Sequence, residues 1–149
     1  MNPHEAQAAL AGVRSAEASL ADKVAHCPPW RHAAFGAIFA VLIGSIAISA
    51  TAQIVGTVIV LASIAVLMRS DRKRYGVFIN GYRRGATLPL TLTYVAVMIG
   101  LVAAAMYLRI NDFSAWSKAA LAVIAFALAS LFSVKWSSVF RKELGGAAR

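Results

Sequence analysis

Four long apolar runs, set apart by short polar stretches, organise the 149 residues of this chain. The first extends from about Ala33 to Ala50, the second from about Gln53 to Met68, the third from about Leu88 to Leu108 and the fourth from about Trp116 to Val134. At a helical rise of about 1.5 Å per residue, the two shorter runs reach about 24–27 Å, the lower limit for crossing the hydrocarbon of a bilayer. A single helix over 33–68 would overshoot that thickness by far. The pattern therefore predicts a tight helical hairpin, linked by "ATAQ" (50–53), with Gly44, Ser45, Ser49, Thr51 and Gln53 marking the reversal. The third run opens with Pro89 in its first turn, where proline is tolerated. "RINDFS" (109–114) links it to the fourth, so the four spans pair as two hairpins.

Ahead of the spans, residues 1–29 read as a separate amphipathic helix. Asn2 can cap it, Pro3 suits the first helical position, and Glu5 completes a capping-box spacing. Leu10, Val13, Leu20 and Val24 share one face, interrupted by Glu17. The face is weak because alanine fills much of it. It predicts a cytoplasmic or interfacial helix, lying on the membrane or against the bundle, ahead of a dimerising coiled coil, which needs sustained heptads. Pro28 and Pro29 end it. The expected organisation is this helix and its break over 1–29, a transmembrane domain over 30–142 and a flexible tail over 143–149. In "KWSSVFRKELGGAAR", Trp136 and Phe140 are spaced to face the membrane interface.

Composition supports a bilayer as the solvent. Apolar residues make up 60% and charged residues 14%, against about 45–50% and about a quarter in soluble domains. A soluble chain this short buries only about two thirds of its surface and could not hide so much Ala, Val, Ile and Leu. The net charge of +9 would suggest nucleic acid in a soluble protein, but here the cations lie between apolar runs. With both termini and the 69–87 loop in the cytoplasm, thirteen Lys and Arg lie inside and only Arg109 and Lys118 outside. Trp30, Tyr82 and Trp136 then mark the inner boundary, and Tyr107, Phe113 and Trp116 the outer one. The expected location is a bacterial cytoplasmic (inner) membrane, multi-pass, with no nucleic-acid partner.

Candidate chemistry is sparse. Apart from Lys118 at the outer edge of the fourth run, the apolar runs hold no Asp, Glu, Lys, Arg or His. Such residues usually mark proton coupling or charged-substrate transport. A small multidrug exporter also has four short helices, but depends on a membrane-embedded carboxylate, which this chain lacks. The polar residues in the runs are Ser45, Ser49, Thr57, Ser63, Thr91, Thr93, Tyr94, Ser130 and Ser133. They read as hydrogen-bonding glue between or within helices. His4, His26 and His32 are scattered, and Cys27, the single cysteine, allows no internal disulfide. Glu5, Glu17, Asp22, Asp71, Asp112 and Glu143 form no pair at a useful spacing. No metal site, cofactor or catalytic group is expected.

Two small-residue stripes stand out. Gly36, Ala40 and Gly44 recur at four-residue intervals in the first span, and Ala96, Gly100 and Ala104 in the third. Such spacing lets helix backbones approach closely. The stripes sit in similar surroundings, "AVLIG" (40–44) and "AVMIG" (96–100), as a parallel repeat of two hairpins would place them.

The loop over 69–87 holds six of the fifteen Lys and Arg. "RSDRKR" (69–74) is a basic cap that also suits the negative end of a helix dipole. "YGVFINGYRRG" (75–85) adds Tyr75, Val77, Phe78, Ile79 and Tyr82 around Asn80-Gly81, a strong tight-turn pair. Topology alone does not require them. Arg72, Lys73, Arg74, Asn80, Arg83 and Arg84 are candidates for contact with anionic lipid headgroups or a protein partner.

Pro28-Pro29-Trp30 before the first span and Asn80-Gly81-Tyr82-Arg83-x-Gly85 between the second and third resemble a group of uncharacterised small four-span bacterial integral membrane proteins. The resemblance covers most of the chain by layout and these two motifs by sequence. It implies an integral membrane location and carries over no functional residue. The combined expectation is an all-α membrane protein that acts without catalysis, by helix–helix interaction in a homo-oligomer or with a larger membrane partner. The alternative is a small transporter or pore formed by an oligomer.

Overall fold

The computed structural model of the chain describes residues 2–25, 28–75 and 87–147; the side chains at 14, 17, 18, 20–25, 74, 75 and 144–147 lie outside that description. The described residues form five helices: α1 (Pro3–Ala25), α2 (Pro29–Ile48), α3 (Ala50–Tyr75), α4 (Thr87–Ile110) and α5 (Ala115–Ala147). Four of them, α2 to α5, are long and apolar enough to cross a membrane.

The helix ends follow from local chemistry. In α1 the Asn2 amide donates to the Glu5 carboxylate at 3.2 Å, and the Asn2 side-chain oxygen accepts from the His4 amide at 3.4 Å. This is the reciprocal cap expected of that spacing. Pro29 opens α2, where its missing N–H costs nothing. At the far end of α2 the reversal uses one residue, Ser49, rather than the longer link expected over 50–53. Ser49 is extended, at φ −163° and ψ 166°. Its amide closes α2 on the Ser45 carbonyl, and its hydroxyl accepts from the Ala52 amide at 3.0 Å, capping α3. Gly44 and Ser45 lie within α2, and Thr51 and Gln53 within α3.

The α4–α5 link is closed differently. Asp112 adopts a left-handed conformation at φ 47°, which Asp tolerates better than most side chains. The Phe113 amide reaches the Leu108 carbonyl at 3.0 Å and the Asp112 amide reaches Arg109 at 3.3 Å. That bond pair is a Schellman closure. Ser114 then accepts from the Ser117 amide and starts α5.

The helices run past the apolar runs at several ends. α3 continues through 69–75, the first part of the expected loop, and α5 continues to Ala147, into the segment expected as a tail. A helix needs only intrahelical hydrogen bonds to persist beyond lipid, so hydropathy marks the membrane and not the helix end.

The core lies among α2, α4 and α5. Ile43, Ile46, Ala47, Ala105 and Ala125 form one cluster, and Tyr94, Met98 and Ala129 another. α2 is central and packs against α3, α4 and α5, whereas α3 packs chiefly on α2, and α1 lies against α5. In lipid, burying apolar surface against another helix gains little, so close backbone approach and polar ties must hold such a bundle. Gly36 supplies the closest approach. A Cβ there would run into the Ser130 hydroxyl and lie 2.8 Å from the Phe126 carbonyl of α5. Two turns on, a Cβ at Gly44 would meet Ala122 at an ordinary 3.4 Å. Gly56 plays the same part for α3, pressed on Ser45 of α2.

Candidate functional site

α2 and α4 run in the same direction, so their first turns lie at one end of the bundle. At that end α2 is tied to two neighbours. Arg31 Nε donates to Asp71 Oδ1 of α3 at 2.9 Å, and its Nη2 makes a second bond to Oδ2. His32 Nδ1 shares a hydrogen bond with Ser133 Oγ of α5 at 2.8 Å. The Arg–carboxylate pair is bidentate and only partly exposed, the geometry in which such pairs are strongest.

Beyond these ties a cleft of about 670 Å³ opens between α2, α4 and α5. That volume falls in the range of small-molecule sites, about 300–1,000 Å³. Its walls divide by chemistry. Arg31, Thr91, Ser133, Trp136 and Ser137 supply polar atoms, while Phe35, Phe39, Met98, Ile99, Val102 and Phe132 are apolar or aromatic. Tyr94 sits where the rings converge. It stacks on Phe132 with centroids 4.1 Å apart and planes 16° from parallel. Phe39 meets it edge-on at 5.4 Å, and Phe35 lies 6.1 Å away. Three rings therefore fix its orientation.

Tyr94 is 8% exposed, and its hydroxyl is buried with no hydrogen-bond partner among the described residues. Leaving a buried hydroxyl unpaired costs about 1–3 kcal/mol. Phenylalanine would have packed as well without that cost, so the hydroxyl is a defect of the chain taken alone. Ser130 Oγ, pressed against Gly36, is likewise buried and unpaired among the described residues. Of the cleft hydroxyls, that of Ser133 is engaged with the His32 imidazole, and the walls hold no pair of acids. Among the described residues no three or more His, Cys, Asp or Glu converge.

The residues singled out from sequence fall into three groups. Gly36 is buried at the α2–α5 contact, and Gly44 faces Ala122. Ala40, between them, lines a shallow groove beside α3. In α4, Ala96 and Gly100 are exposed and Ala104 is half-buried. A Cβ at Gly100 would meet nothing within 4 Å. Arg72 and Lys73 are exposed on the last turns of α3. The side chain of Arg74, and Asn80, Arg83 and Arg84 entirely, lie outside the described residues.

Several expectations are corrected. Phe140 does not face the interface: it is buried and stacks on Trp136 at 5.0 Å. Helix α5 simply turns that side inward. Asp71, the one acid in a basic run, is an anchor for Arg31 and not a bystander in a charged cap. Of the polar residues in the spans, Ser133 bridges helices, whereas Ser45, Thr57, Ser63 and Thr93 donate to carbonyls of their own helices.

The far end has its own tie. Arg109 donates to Gln53 Oε1 at 2.9 Å and to the Ile46 carbonyl at 3.3 Å. It thereby satisfies a carbonyl of the last turn of α2, at the negative end of that helix. Lys118 lies 3.7 Å from Asp112. Both cations assigned to the outer face thus have local structural partners. Comparison of the chain with known protein families, with characterised proteins and with solved structures gives no match.

Proposed function

We propose that this chain is a non-enzymatic protein of the bacterial cytoplasmic membrane that works by helix–helix association. In this reading α2–α3 and α4–α5 are two transmembrane hairpins, with both termini and the 69–87 segment in the cytoplasm and α1 at the interface. The charge asymmetry supports that orientation. The likeness of its two motifs to small four-span bacterial proteins is part of the same proposal.

The observation that carries the reading is the unequal use of the two small-residue stripes. The α2 stripe is engaged within the chain at Gly36 and Gly44, while Ala96 and Gly100 of α4 face outward beside exposed Val97, Ile99 and Ala103. A second helix could approach the α4 backbone there. Exposed Arg72 and Lys73 would contact anionic headgroups, as would Arg74, Asn80, Arg83 and Arg84 in this proposal.

The test is disulfide crosslinking in native membranes. Cys27 is first replaced by Ser, and single cysteines are placed at Gly100 and Ala103, with Ile54 and Val58 of α3 as controls. Crosslinked dimer at the α4 positions alone indicates a homo-oligomer, and a larger adduct there indicates a different partner. Monomer throughout, or crosslinks at the α3 controls only, overturns the reading.

A transporter or pore formed by an oligomer is the alternative. It draws less support, because Thr57, Ser63 and Thr93 spend their hydroxyls on their own backbones. Labelling of cysteines at Thr57 and Ser130 by aqueous thiol reagents would favour it.

A further inference from the structure

The cleft around Tyr94 has a length, a polarity gradient and an unmet hydrogen bond that together describe one kind of ligand. Its lining on α4 runs from Thr91 to Val102, which at about 1.5 Å per residue spans about 16 Å. That is close to half of a hydrocarbon core about 30 Å thick, the depth of one leaflet. Polar lining groups gather toward the Arg31 end, where Ser133, Trp136 and Ser137 also lie. The opposite end is lined by Met98, Ile99 and Val102. Between them is Tyr94, held by Phe35, Phe39 and Phe132. Its buried hydroxyl has no acceptor among the described residues. Tyrosine side chains on a helix lean toward the helix N-terminus, which for α4 is the Arg31 end.

We propose that the cleft binds one long acyl chain, with the carbonyl oxygen of its acyl group accepting a hydrogen bond from the Tyr94 hydroxyl. The methylene chain runs from Phe35 and Phe39 toward Val102. The head remains at the Arg31 end, where it meets water and the headgroup layer. This accounts for a tyrosine where phenylalanine would otherwise serve. An aromatic ring intercalated between the walls fits less well, because Tyr94 and Phe132 already stack on each other and leave no gap. The acyl group has two sources, a free fatty acid or the ester of a bilayer phospholipid. Both present the same chain and carbonyl.

The experiment uses the full chain, delipidated and returned to nanodiscs. Two probes are applied in parallel: a fatty acid and a phosphatidylglycerol, each with a photoreactive group on the acyl chain. Saturable labelling on 35–39 and 95–102 is expected from at least one probe, and the arm that saturates identifies the source. Tyr94→Phe should weaken that labelling about tenfold, the size of one net hydrogen bond. Its melting temperature without lipid should be unchanged or higher, since an unpaired donor has been removed. Val102→Phe should shift preference toward shorter chains while leaving Tyr94 in place. Labelling that does not saturate, that spreads evenly over the lipid-facing helices, or that is indifferent to both substitutions overturns the proposal.

Discussion

The stripes Gly36-Ala40-Gly44 and Ala96-Gly100-Ala104 have the same spacing, the same kinds of neighbours and different fates. The first lies on the central helix, and at Gly36 the α5 backbone comes so near that only hydrogen fits. The second lies on α4, and at Gly100 there is open space. Small residues confer a capacity for close approach and nothing about what approaches. Which stripe is engaged depends on the rest of the helix. α2 is tied at one end through Arg31 to Asp71 and through His32 to Ser133, and at the other through its Ile46 carbonyl to Arg109. Among the described residues, the outward face of α4 has no such ties near Gly100.

Substitutions can break this contrast in graded steps. Gly36→Leu should be the most damaging, costing about 3 kcal/mol, because the Phe126 carbonyl cannot swing aside as a side chain would. Thermal aggregation in mild detergent would measure it, and adding Ser130→Gly should restore only part of the loss. Asp71→Ala comes next. It strips Arg31 of a bidentate partner at a partly buried site and should cost about 2 kcal/mol in the same assay. Arg109→Leu should cost about 1 kcal/mol, the scale of interhelical hydrogen bonds in membranes, and should loosen the α2–α3 corner to proteolysis. Gly44→Ala should be nearly silent, since the new methyl would meet Ala122 at ordinary contact distance. Gly100→Leu sharpens the comparison most. It should leave the stability of the isolated chain within about 0.5 kcal/mol of the original while abolishing any crosslinked dimer at Ala103.

Much of the helical skeleton could be read from the chain, because apolar run length and capping residues are local signals. Asn2, Glu5, Pro29 and Ser49 all act within a few residues of where they stand. Partnership between helices was far less legible. Facing lipid and facing another helix call for the same side chains, so the position of α3 at the edge left no mark in its hydropathy. Gly56 carries no sequence signal for the same reason: one glycine without a stripe looks like any other. Asp71 was more accessible, since an acid among cations invites the question of which cation it holds. Tyr94 could not have been singled out, because its significance is an unmet bond, and that exists only once Phe35, Phe39 and Phe132 have closed around it.

The single-residue reversal at Ser49 bears on how the protein is made. Between α2 and α3 almost no chain lies outside the helices, and between α4 and α5 only residues 111–114 do. In the proposed topology the cell therefore has scarcely any hydrophilic mass to export. Each helical pair can enter the bilayer as a unit as it leaves the ribosome, with only a serine or a short turn to be dragged through. In that topology the periplasmic side would offer proteases and antibodies almost nothing to grip. An epitope inserted at Ser49 should block insertion, whereas one added after Arg149 should pass unnoticed by the assembly machinery.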